Sequence, residues 1–333
     1  MKKLVSILLV LVLMLALVGC ATPAESPSTS PSDTTPAAPG SESPSNTGEK
    51  TYRVGAIVGS REHVFYNLIE ESILATAEEL GFEALTYDGQ LDANVQANIV
   101  ADLVAQKVDA ISLATVDAAG VGPALEQADQ AGIPCFTFDS PCANADFVKC
   151  HVGTDNVKGG ELGAQEILRL VPEGNVAFIG NPASSSVIDR ENGFKKGLEG
   201  QDKVVLKFEG DYQGDANVAM QLMQDWLAAD PDIKAVFCAG DPAAAGALAA
   251  IKAAGANTLV IGYDGNPEAI TAIKDTEGDG KWWVSEISQD PKKIGKVCME
   301  QIMKYLETGK VDAELIPIDP YIITLDYIKE NNL

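Results

Sequence analysis

The chain has 333 residues, of which 46% are hydrophobic and 22% charged, and a formal net charge of −24. Apolar content of that size supports a packed core, and the length after the leader suits one large domain or two average lobes. The acidic balance excludes nucleic acid as a partner and disfavours a strongly anionic ligand. Only two histidines are present, His63 and His151, with no paired spacing, so the sequence offers no catalytic metal site.

Lys2 and Lys3 precede an almost unbroken apolar run over 4–18, too short for an ordinary membrane span. The run ends in Leu17-Val18-Gly19-Cys20. This pattern resembles a bacterial lipoprotein signal, with Cys20 as the lipidated first residue of the mature protein; the alternative is an ordinary secretory signal that contains a cysteine. Either way the working protein lies outside the cytoplasm, and the lipid on Cys20 would tether it to a membrane. Residues 21–50 are almost wholly Ser, Thr, Pro, Ala, Gly and Glu. Such a stretch cannot offset its chain entropy by burial and is expected to be a disordered, proline-extended spacer.

From residue 51 the pattern alternates. Residues 52–58 read as a strand. Residues 65–80 read as a helix with Ile69, Ile73, Ala77 and Leu80 on one face, closed by Gly81. Next come a strand over 83–87, a helix over 92–106, a strand over 110–113, a helix over 121–130 and a strand over 135–138. A second series follows: helix 157–170, strand 176–179, helix 187–198, strand 204–209, helix 217–229, strand 235–238, helix 242–254 and strand 259–262. Helix 267–274, strand 282–287, helix 291–307 and strand 321–325 finish the chain. This is an α/β pattern of βαβ units, with short apolar strands covered by helices on both faces. Ten strands fit two parallel sheets better than one.

In open α/β sheets the ligand site lies beyond the carboxyl ends of the strands. Acidic residues recur there, and carboxylates accept hydrogen bonds from paired hydroxyls. Asp117, Asp155 and Asp241 read as helix caps. Asp139 and Asp264 open no helical run and are the better site candidates. Cys135 and Cys238 read as buried hydrophobes, while Cys142 and Cys150 flank a short loop and form either a disulfide or free thiols. Residues 275–286 approach a calcium loop with Glu286 at its twelfth place; the alternative is an acidic turn into a strand. Trp282 and Trp283 read as core. No nucleophile, base and oxyanion hole assemble.

The order and spacing of several pieces resemble the periplasmic sugar-binding proteins of ABC transporters, the ribose-binding type, over the whole of 51–333. The pieces are Phe65-Tyr66, Gly132-Ile133-Pro134 leading to Thr137-Phe138-Asp139, Thr154-Asp155-Asn156 with Gly159-Gly160, Arg190-Glu191-Asn192-Gly193-Phe194, Pro231-Asp232-Ile233, and Gly262-Tyr263-Asp264-Gly265. The resemblance implies two Rossmann-like lobes with parallel sheets joined by a three-strand hinge: an N-terminal lobe of 51–154 plus 290–318 and a C-terminal lobe of 155–289 plus 319–333. It implies that Phe65 and Tyr66 stack on a sugar ring, that Asp139 and Asp264 bind its hydroxyls, that Gln289 contacts ligand at the hinge, and that Tyr263, Tyr212 and Arg190 belong to the site. Departures are as informative. His63 stands where a ribose binder has Asn, Ser140 and Ile188 where it has Arg, and Ala114 and Gly240 where it has Asn. Ribose would lose partners, at about 1–3 kcal/mol for each unpaired buried polar group. The pocket should be roomier and more apolar, with Arg61, Glu62 or His63 as new polar contacts. The implied function is capture of a small sugar or polyol for an ABC permease by a monomer with no cofactor, no resident metal and no catalysis. A sensor that presents ligand to a chemoreceptor or sensor kinase is the alternative; a repressor core is disfavoured by the leader and by the lack of a basic DNA-reading helix.

Overall fold

The structure, a computed structural model, describes residues 51–333. The leader with Cys20 and the whole spacer lie outside the described residues. The chain opens as β1 (Arg53–Val58), α1 (Val64–Leu80), β2 (Glu83–Asp88), α2 (Ala93–Gln106), β3 (Ala110–Leu113), α3 (Gly122–Gln130), β4 (Cys135–Phe138) and β5 (His151–Thr154). It continues as α4 (Asn156–Leu170), β6 (Gly174–Gly180), α5 (Ser185–Leu198), β7 (Val204–Asp211), α6 (Ala216–Ala229), β8 (Ala235–Cys238), α7 (Asp241–Ala254), β9 (Leu259–Asp264), α8 (Pro267–Lys274) and β10 (Trp283–Ser288). It ends with α9 (Pro291–Thr308), β11 (Leu315–Ile318), β12 (Tyr321–Thr324) and α10 (Leu325–Asn331).

Two six-stranded sheets form, ordered β11-β5-β4-β3-β1-β2 and β12-β10-β9-β8-β6-β7. Every pairing is parallel except that of β10 with β12. These are two α/β lobes of the type I periplasmic binding protein architecture. The chain passes between the sheets three times: from β5 to α4, from β10 to α9, and from β11 to β12.

Strand alternation divides each core in two. In the first lobe Val54, Ala56 and Val58 face α1 and α9, meeting Ile69, Ile73 and Ile294. Ile57 points the other way, to Val100, Leu103 and Leu125 of α2 and α3. In the second lobe Phe178, Phe237 and Tyr263 meet Ala164, Ile167 and Phe194 of α4 and α5. Val236 and Val260 meet α6, α7 and α8 on the opposite face. The buried stripe of α1 is Ile69, Ile73 and Ala77; Leu80, expected on that face, is 37% exposed in the last turn before Gly81.

Backbone contact fixes α4 on α5. A Cβ at Gly160 would overlap the carbonyl of Arg190, and a Cβ at Gly193 would overlap that of Val157. Only glycine lets the two helices approach this closely, and that approach sets the height of Arg190 beside the sheet.

Three elements differ from the sequence expectation. β5 and β11 pair at the edge of the first sheet, and the terminal strand stops at Thr324, whose side chain accepts the N–H of Tyr327 and starts α10.

Candidate ligand-binding site

A cavity of about 580 Å³ lies between the carboxyl ends of the two sheets. The first lobe contributes His63, Phe65 and Tyr66 after β1, and Asp139 after β4. The second contributes Arg190 of α5, Tyr212 after β7 and Asp264 at the end of β9, while Gln289 lies at the second chain crossing. The two aspartates share a backbone peculiarity. Asp139 has φ 60° and Asp264 φ 116°, both in the left-handed region that non-glycine residues avoid. Strain of that kind persists only where surrounding contacts over-determine it, and it collects at binding sites.

Asp139 is held by hydroxyls. Tyr66 Oη and Ser140 Oγ each donate to its Oδ2 at 3.1 Å. Burial raises its pKa, against the pull of Tyr66, Arg190 and Ser140. Burial also raises that of Tyr66 well above the ordinary phenol, and the Asp139 charge adds to this, so Tyr66 stays a neutral donor. The Phe65 ring meets Tyr66 edge-on, 5.4 Å between centroids at 71°, so two differently oriented aromatic surfaces border the cavity.

Asp264 is held by a cation and an amide. Gln289 Nε2 donates to Oδ1 at 2.7 Å, and Arg190 Nη1 stands 3.4 Å from the same oxygen. Arg190 is itself fixed on three sides: Nη1 donates to the carbonyl of Ala239 at 2.6 Å, Nε to Asn156 Oδ1 at 2.9 Å, and the guanidinium lies 3.7 Å from the centre of the Tyr263 ring. Burial alone would lower the Arg190 pKa; Tyr263, Asp264 and Asp139 outweigh it and the group stays charged. Burial raises the pKa of Asp264, restrained first by Arg190 and then by Gln289. Gln289 also joins the lobes, since its Oε1 accepts from Thr154 Oγ1 of β5 at 2.6 Å. Tyr212 is 8% exposed, and burial pushes its hydroxyl up to about 12.

Of the residues expected at the site, the structure brings His63, Phe65, Tyr66, Asp139, Arg190, Tyr212, Asp264 and Gln289 to one cavity. Tyr263 departs from that expectation. It is fully buried on the α4 side of β9, behind Arg190, with its hydroxyl on Asn156 Oδ1 at 3.3 Å; strand alternation turns it away from the cavity that Asp264 faces. Arg61 also departs, because Glu70 draws its guanidinium to α1 with Nε to Oε2 at 2.9 Å. The expected apolar wall is broken by Ser140, Asn181, Ser184, Ser186 and Glu268. Asn156 and Thr154 stood in a recognised sequence block without a role; they position Arg190 and Gln289.

Asp155 caps α4 as expected, accepting the N–H of Lys158. Other expectations need correction. Asp117 caps only a local turn, accepting from Ala119 and Gly120. Asp241 is no cap: it is 2% exposed, with Oδ2 on the N–H of Asn266 at 2.9 Å. The calcium-loop frame is not formed, since the Asp275 carboxylate accepts the N–H groups of Gly278 and Asp279 and Glu286 lies inside the sheet. Among the described residues no group of three or more His, Cys, Asp or Glu is arranged to hold a metal. Cys142 and Cys150 are not paired; all five described cysteines are free.

Two lobes with a polar, partly aromatic cavity between facing strand ends define the class of periplasmic binding proteins. The periplasmic binding protein domain family matches residues 54–310, and the chain belongs to it. The chain is 34% identical over 275 residues to the ribose import binding protein RbsB of Bacillus subtilis, covering 82% of this chain and 88% of that one. Solved structures give the same picture. A periplasmic solute-binding protein of an ABC transporter from Actinobacillus succinogenes, with bound D-allose, aligns at a TM-score of 0.76 and 25% identity over 84% of this chain and 100% of its own. One from Bacillus halodurans with bound myo-inositol aligns at 0.75 and 26% identity over 86% and 99%.

Proposed function

We propose that this protein captures a small sugar or polyol between its two lobes, outside the cytoplasm, and delivers it to the permease of an ABC transporter. The observation that carries the reading is the pair of half-buried carboxylates, Asp139 and Asp264, set on opposite lobes around one cavity of about 580 Å³. Each carboxylate accepts from vicinal hydroxyls, and Phe65, Tyr66 and Tyr212 offer surfaces for the apolar face of a ring. A monosaccharide or cyclitol needs both at once. Its relatives support the reading, being import binding proteins for ribose and solute binders holding D-allose or myo-inositol.

In this reading residues 51–154 with 290–318 form one lobe and 155–289 with 319–333 the other, and ligand binding closes them about the three crossings. His63, Ser140 and Gly240 in place of amides and a cation favour a ligand other than ribose. The Leu17-Val18-Gly19-Cys20 sequence supports a lipid anchor on Cys20, which would keep the monomeric binder near its permease.

A thermal-shift screen of D-ribose, D-allose, D-fructose, myo-inositol, nucleosides and amino acids tests the proposal. A ligand at 100 times its dissociation constant stabilises by about 2.7 kcal/mol, a shift of several degrees. One sugar or polyol should give that shift, and Asp139→Ala and Asp264→Ala should each abolish it. A shift from nucleosides or amino acids alone would overturn the sugar assignment.

A further inference from the structure

Behind Asp264, away from the cavity, two buried acids face each other. Glu286 on β10 is fully buried, and its Oε2 accepts Trp283 Nε1–H at 2.8 Å. Asp241, the first residue of α7, uses Oδ2 for the N–H of Asn266. The second oxygen of each, Glu286 Oε1 and Asp241 Oδ1, has no donor. Yet the two carboxyl groups are in hydrogen-bonding contact, and a carboxylate is acceptor-only. One proton resolves both orphaned oxygens. A place is made for it: a Cβ at Gly262 would overlap the Glu286 carboxyl, so the acid lies flat on the backbone of β9.

We propose that Glu286 and Asp241 share a proton, with Glu286 as the acid, and that this bridge from β10 to α7 is the positioning device for the 264–266 turn and hence for Asp264. The inference rests on the role of Asp264 in the function proposed above. Asp241 grips the turn from both ends, since its side chain accepts from Asn266 and its own backbone N–H donates to the Asp264 carboxylate. The turn needs such a grip, because Asp264 and Gly265 stand at φ 116° and 81°. The surroundings favour retention of the proton. Cys238 faces the pair from β8, Tyr212 from the strand-end region of β7, Trp283 from β10 and Asp264 from the turn, and none is a cation. Arg190 reaches Asp264 from α5, and His63 faces Asp264 across the cavity. Ionising both acids would set three carboxylates around one turn. Burial raises the pKa of Glu286 well above the ordinary carboxyl, and that of Asp241 with it.

Infrared spectra and amide exchange of the purified protein test this without a ligand. Near neutral pH the spectrum should contain the C=O band of a protonated carboxylic acid; Glu286→Gln should remove it, and raising the pH should bleach it. Absence of the band, or its survival in both Glu286→Gln and Asp241→Asn, would overturn the shared proton. Exchange of the 264–266 amides should accelerate about tenfold or more in Glu286→Ala, the scale set by one lost buried hydrogen bond. Glu286→Gln keeps a permanent donor for Asp241 and should exchange like the wild type. Unchanged exchange in Glu286→Ala would refute the positioning role. If that variant does not fold, wild-type exchange should rise with pH more steeply than that of Glu286→Gln; parallel profiles would count against the proposal. Titration with D-ribose, D-allose and myo-inositol then separates the two readings. A bridge that behaves as expected in a protein that binds none of the three condemns those sugars as ligands and leaves the proton bridge standing.

Discussion

The two lobes place a half-buried carboxylate at the end of a strand in the same strained backbone region but hold it by different chemistry. Asp139 in the first lobe is served by two hydroxyls, from Tyr66 and Ser140. Asp264 in the second is served by a guanidinium that is itself wedged against a ring, a carbonyl and an amide. Hydroxyls rotate and both donate and accept, so the first lobe can re-aim its donors when a ligand hydroxyl arrives. A guanidinium fork is rigid and permanently charged, and this one is pinned from three sides. The second lobe is therefore the pre-set half of the site and the first the adaptable half.

The contrast breaks most sharply at Arg190. Arg190→Met should cost about 3 kcal/mol of stability, the low end for breaking a buried pair, because it leaves the half-buried Asp264 with Gln289 but without its cation; denaturant unfolding measures it, and a loss near zero would erase the distinction between the lobes. Tyr66→Phe probes the other half. Asp139 keeps Ser140, so the loss should be smaller, about 1–3 kcal/mol, by the same unfolding experiment. The smallest effect is on the pH profile. Burial raises the native pKa of both carboxyls above the unfolded value of about 4. The native state then binds more protons than the unfolded state in the window between those values, and stability falls as pH rises through it. Arg190 restrains both shifts. Arg190→Met should widen the window and steepen the fall, by at most about 1.4 kcal/mol per pH unit for each group, as read from melting temperature against pH.

The alternating pattern carried the fold, because most strands here are short apolar runs with both faces covered. Two short strands escaped it. His151–Thr154 has only Val152 as a large apolar residue, and Leu315–Ile318, at the sheet edge, carries Pro317, which fits only there. The site was legible where ligand-facing residues follow strands in sequence, as Asp139 and Asp264 do. It was illegible where a residue acts through another. Tyr263 reads as a ring contact and Asp241 as a cap, and Asn156 has no assigned role, because nothing in a linear pattern distinguishes a side chain that faces the cavity from one buried a few ångströms behind it. The sequence left Glu286 between a calcium loop and an acidic turn into a strand for the same reason: an acidic residue at that spacing is indistinguishable in sequence from one folded under a strand.

The amide of Gln289 sits where the chain crosses between the sheets, with Thr154 of one lobe on its oxygen and Asp264 of the other on its nitrogen. Rotation of one sheet against the other about the crossings moves each atom in proportion to its lever arm, and this amide has almost none. In the closure proposed above, the carboxylate that Gln289 holds therefore moves least, and the geometry of the jaw at its root is decoupled from the travel of its tips.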